Sequence, residues 1–179
     1  LIVFVLSLTA MFSRSNKPIE AVATTLLGFL YIPVMLTPFV LIPYSFGWKW
    51  LLYVVAIIKI SDMGGFAFGV AFGKHKMCPS ISPNKSWEGM FGSIFASCLI
   101  SCCLMKLTNL SFAVSLAFGF AAAIIGTLGD LVESRFKRNV GVKDSSVFMP
   151  AGMGGFLDMF DSLIFAPAIF YYFISSYAA

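Results

Sequence analysis

Apolar residues run through this chain in blocks of helical length, and its charges collect in the breaks between the blocks. Residues 21–44, 48–72, 89–105, 111–128 and 156–177 are each almost wholly apolar. A hydrocarbon layer about 30 Å thick takes roughly 20 helical residues to cross, so these stretches predict membrane spans. Pro33, Pro38 and Pro43 predict kinks in the first, and Trp48, Trp50 and Tyr53 predict an interfacial anchor for the second. Residues 1–12 are apolar but too short to cross. No basic segment precedes them and no small-residue cleavage site follows, so they read as the end of a further span rather than a signal peptide. The predicted fold class is all-α, a polytopic transmembrane helical bundle of about five complete spans plus a truncated N-terminal one. Residues 1–179 read as a single membrane-embedded domain, the C-terminal part of a longer protein.

Composition agrees. The chain is 59% hydrophobic and 11% charged, with mean hydropathy +0.92. A soluble domain carries about 25% charged residues. Cys78, Cys98, Cys102 and Cys103 form no metal-type pair and read as packing residues. Alternating spans put Arg14, Lys17, Lys74, Lys76, Lys85, Arg135, Lys137, Arg138 and Lys143 on one side, nine of the 12 basic residues. That side is expected to face the cytoplasm, and the two longest polar segments share it.

Those segments carry the candidate chemistry. In residues 73–89, Ser82-Pro83-Asn84-Lys85-Ser86 reads as a hydroxyl-rich turn with one ammonium, able to offer N–H groups to a polyphosphate. The spacing is not that of a P-loop. A basic loop lying on anionic lipid would account for the charge equally well. His75, between two lysines, reads as solvated. Asp62 lies inside an apolar span with Lys59 one turn before it, and an intramembrane carboxylate is a functional candidate. Asp130 and Glu133 share a helix face at the end of the fourth span, as do Asp158 and Asp161 at the start of the last. Carboxylate oxygens of this kind suit Mg²⁺, with substrate phosphates completing its shell. Arg135, Lys137, Arg138 and Lys143 supply cations between them, and Gly152, Gly154 and Gly155 would let a ligand approach the backbone.

Three blocks in this order resemble the phosphatidate cytidylyltransferase (CDP-diacylglycerol synthase) family. One runs from Ser134 through Phe136-Lys137-Arg138 and Lys143-Asp144 to Pro150, Gly154-Gly155, Asp158, Asp161 and Ser162. The second joins Asp62 and Gly73-Lys74 to Ser82-Pro83, Lys85-Ser86 and Glu88-Gly89, and the third is Gly129-Asp130-Leu131 with Glu133-Ser134. Met153 and Met159 stand where the family pattern has His and Arg, and the glycine turn is one residue longer. The resemblance implies a nucleotidyltransferase of phospholipid biosynthesis. It would join CTP to phosphatidic acid, giving CDP-diacylglycerol and pyrophosphate with Mg²⁺ as cofactor. It implies Asp130, Asp158 and Asp161 as metal ligands; Lys137, Arg138, Lys143 and Asp144 as catalytic residues; and Asp62, Lys74, Ser82, Lys85 and Ser134 as substrate-binding residues.

The expected partners are CTP, phosphatidic acid and the lipid bilayer, with a homodimer as the candidate assembly and no nucleic acid. The expected location is a bacterial inner (plasma) membrane, with the active site facing the cytoplasm. Alternatives are a related CTP-dependent polyprenol or phytol kinase, an ether-lipid cytidylyltransferase, and an inactive scaffold suggested by Met153 and Met159. An ion-coupled transporter built around Lys59 and Asp62 represents a different class.

Overall fold

A computed structural model describes residues 17–34, 36–139 and 156–178, together with Val5. Helix α1 (Pro18–Phe29) opens on proline, whose missing N–H would have no partner in a first turn anyway. It runs into a π-helical turn, Leu30–Val34, containing Pro33. A second short helix, α2 (Pro38–Phe46), again opens on proline. The stretch 21–44, expected as one kinked span, is thus two short helices joined through a widened turn. Pro33 and Pro38 lack the N–H groups that a continuous α-helix would use there.

Gly47, at φ +91°, ends α2 and leads into α3 (Trp48–Phe72). A short antiparallel hairpin follows, β1 (Lys76–Cys78) and β2 (Ser82–Ser86), with Lys76 opposite Ser86 and Cys78 opposite Ser82. The chain then forms α4 (Trp87–Thr108), α5 (Phe112–Asn139) and α6 (Phe156–Ala178). Asn109, in the left-handed region at φ 55°, turns α4 into α5, and the Leu110 N–H donates to the Met105 carbonyl at 3.0 Å. Among the described residues, three helices are long and apolar enough to cross a membrane: α3, α4 and α5.

Small residues let α3 and α4 pack closely. Ser61, Gly65 and Gly69 recur every fourth position on α3, and Gly89, Ser93, Ser97 and Ser101 do so on α4. A methyl group built on Gly89 would lie 2.9 Å from the Gly65 carbonyl oxygen, and one on Gly64 would lie 2.7 Å from that of Gly92. Membrane helices with no water to expel associate through such contacts.

Nearer the other end of α3, Tyr53, Ile57, Phe118, Ala122, Phe170 and Ile174 form a buried core, with Phe118 stacked on Phe170 at 5.4 Å. A hydroxyl relay crosses it. Ser101 Oγ donates its one proton to the Ser115 carbonyl (2.5 Å), so the Tyr53 hydroxyl donates to Ser101 Oγ (2.6 Å). Large apolar side chains such as Phe66, Val70, Phe91 and Tyr172 project outward, an arrangement suited to an apolar solvent.

Candidate active site

The C-terminal half of α3, the first turns of α4, the Thr127–Asp130 stretch of α5 and the hairpin surround a cavity of about 570 Å³. Its wall includes Asp62, Ser82, Asn84, Lys85, Thr127 and Asp130. Segment 82–86, expected as a turn, is a strand, and the reversal sits at residues 79–81, where the Ile81 N–H donates to the Cys78 carbonyl at 3.1 Å. Pro83 is tolerated because a two-stranded hairpin consists of edge strands. Ser86 ends the strand and caps α4, its Oγ accepting from the Gly89 N–H at 3.1 Å.

The extended strand delivers Lys85 to α5. Its Nζ donates to the Thr127 carbonyl (3.0 Å) and to Asp130 Oδ2 (2.9 Å). The two side chains are 22% and 24% exposed, so the pair is shielded more than a surface ion pair. An ammonium has three N–H groups, and these contacts leave one for an anion in the cavity. Asp130 Oδ1 is buried and accepts no hydrogen bond among the described residues. A buried carboxylate oxygen lacking a donor fits a hard cation such as Mg²⁺. Among the described residues, no three His, Cys, Asp or Glu side chains gather into a metal cluster.

The fourth span, expected over 111–128, belongs to a helix that continues about three turns further, to Asn139. Residues expected in a loop therefore stand on α5. Glu133 is buried at 2% exposure, with Lys137 Nζ 3.5 Å from its Oε1. Ser134 follows Asp130 by about one turn and is half-buried, while Arg138 is exposed in the last turn.

Asp62 opens on the same cavity from α3, with Lys59 Nζ at 3.4 Å. Lys74 lies apart, in an open groove on the outer side of the hairpin. Lys143, Asp144 and Met153 lie outside the described residues. Asp158, Met159 and Asp161 fall on the first turns of α6, but their side chains lie outside what is described. The structure thus brings Asp62, Ser82, Lys85 and Asp130 together.

Two features were not legible beforehand. Thr127 contributes a backbone carbonyl, which no side-chain pattern announces. Glu133 was legible as sharing the Asp130 face, but its burial depends on tertiary packing.

The model of the cytidylyltransferase family matches residues 1–177. A phosphatidate cytidylyltransferase of Staphylococcus aureus (strain COL) is 42% identical over 123 residues, 68% of this chain and 47% of that protein. Proteins of the same name from Staphylococcus epidermidis and Staphylococcus haemolyticus are 43% and 42% identical over 123 residues, with the same coverage. The chain spans about half the length of the curated relatives it matches. With the family model matching nearly end to end, this chain belongs to the cytidylyltransferase family.

Proposed function

We propose that the protein carrying this chain transfers a cytidylyl group from CTP to phosphatidic acid, giving CDP-diacylglycerol and pyrophosphate. The observation that carries this reading is Lys85, held between the Thr127 carbonyl and the Asp130 carboxylate on the wall of a cavity that joins charged groups to apolar ones such as Phe66 and Val70. A phosphate oxygen of the lipid forms a bond to the α-phosphorus of CTP, and the α–β phosphoanhydride bond breaks to release pyrophosphate. The nucleophile is already anionic, so the reaction depends on neutralising and aligning two anions rather than on a strong protein base. That requirement is compatible with Met153 at the position of the family histidine.

Lys85 offers its remaining N–H to a phosphate, and the Ser82 hydroxyl lies on the same wall. Lys137, Arg138 and Lys143 add cations, Ser134 a hydroxyl, and Asp144 orients its lysine neighbour. Asp130, through its unpartnered Oδ1, would hold Mg²⁺ together with Asp158 and Asp161. When bound, the ion neutralises phosphate oxygens and draws charge from the α-phosphorus. Asp62 opening on the cavity that holds Lys85 favours this reading over an ion-coupled transporter, in which a midplane carboxylate would act apart from the loops.

The bundle is read as five spans plus a partial one in a bacterial plasma membrane, with the site facing the cytoplasm. One substrate is anchored in the bilayer and the other is water-soluble, so the reaction belongs at the membrane rim. The test is incubation of the full-length protein with radiolabelled CTP, phosphatidic acid and Mg²⁺ in mixed micelles. Lipid-linked CMP is expected. Its absence, with a positive-control enzyme active, would end the assignment.

A further inference from the structure

The outer side of the hairpin carries a second groove, distinct from the cavity that holds Lys85 and Asp130. It is lined by Lys74, His75, Lys76, Trp87, Glu88 and Phe91. The one carboxylate there is engaged: Glu88 Oε1 lies 2.6 Å from His75 Nδ1, and the His75 backbone N–H donates to the same carboxylate at 3.2 Å. Lys74 and Lys76 are exposed, and neither joins an ion pair among the described residues. The groove therefore presents two uncompensated ammonium groups.

Below them an aromatic strip descends α4. Trp87, Phe91 and Phe95 follow at four-residue spacing and are 50%, 68% and 61% exposed. Phe68 on α3 lies beside the strip, its ring 6.3 Å from that of Phe95. Tryptophan at the end of a membrane-length helix belongs at the interface, where headgroups begin. Cations above that level and an apolar strip below it have the polarity profile of one phospholipid molecule with a net negative charge.

We propose that this groove is a docking site for an anionic phospholipid, its phosphate on Lys74 and Lys76 and an acyl chain along Trp87, Phe91 and Phe95. The site is separate from the Lys85 cavity, although Lys76 borders both. It rests on the bilayer placement proposed above and not on the reaction. Charge complementarity selects a lipid over a second copy of this chain, which would bring its own lysines against these.

The test uses the full-length protein reconstituted in phosphatidylcholine vesicles containing a minor fraction of acyl-brominated lipid. Quenching of Trp87 is read as the difference between the parent protein and Trp87→Phe. Each lysine near an anionic phosphate favours binding by about fivefold. Brominated phosphatidylglycerol is therefore expected to quench at several-fold lower mole fraction than brominated phosphatidylcholine. The preference should vanish in Lys74→Gln/Lys76→Gln and survive in Lys74→Arg/Lys76→Arg, which retains the charge if the first variant misfolds. Added glycerol 3-phosphate should not relieve the quenching, since a soluble phosphate lacks the chain. Equal quenching by the two lipids would overturn the site while leaving bilayer placement intact. No quenching by either would mean that protein covers this face, or that it lies outside the bilayer, and would also overturn it. A preference that persists without both lysines would overturn their assignment.

Discussion

Lys85 and Asp130 hold each other across 45 residues of sequence, and removing either has a different consequence. Lys85→Met takes a donor from Asp130 and, under the proposed reaction, from the substrate phosphates as well. Losing a preorganised charged donor is expected to lower turnover by about 100-fold or more, measured as CTP incorporation into lipid. Lys85→Arg should rescue only part of this, because a planar guanidinium does not reproduce the ammonium's contacts with a carbonyl and a carboxylate. Asp130→Asn keeps an oxygen for Lys85 but loses the negative charge facing the cavity. Folding should persist while the Mg²⁺ concentration for half-maximal activity rises by about tenfold or more, read from a metal titration. The residue types at both positions were legible in the sequence. Their contact was not, because it depends on a strand that returns Lys85 to a helix still to come. The Thr127 carbonyl was invisible for a simpler reason: every residue has one.

Elements were legible where apolar length defined them and misread where polarity was taken for a break. Helix α5 passes through Glu133, Arg135, Lys137 and Arg138 without interruption, since these are good helix formers that leave the apolar layer but not the helix. Hydropathy measures the thickness of the solvent, not the length of the element. The hairpin was missed for the opposite reason: Ser82-Pro83-Asn84 has turn composition, yet pairing with β1 holds it extended. At this scale the glycine seam between α3 and α4 can be tested. Gly64→Val would drive a side chain against Ala96 and the Gly92 carbonyl, where no flexible group can yield. A loss of about 1–3 kcal/mol is expected, read as a lower midpoint in detergent-denaturant unfolding. Gly28→Ala, with nothing within 4 Å of the added methyl, should be neutral or slightly stabilising in the same measurement.

For the whole molecule, the charge asymmetry of the loops sets an expected orientation that impermeant thiol reagents can check. In a cysteine-free background, Ser80→Cys on the hairpin turn should be labelled only from the cytoplasmic side, and Lys106→Cys near the end of α4 only from the opposite side. Labelling of both from one face would refute the layout. Composition and the length of the apolar blocks made the helical bundle legible, whereas the division of 21–44 came from proline positions whose effect depends on surrounding helices. The hydroxyl relay from Tyr53 through Ser101 to Ser115 bears on this scale most directly. Ser101 lies about 20 Å along α4 from the hairpin. Sliding α4 by one turn against α5, about 5.4 Å, would break the relay and carry Lys85 away from Asp130 in the same movement. The three hydroxyl-bearing residues thus fix the depth at which α4 sits against α5, and with it a charged contact that they never touch.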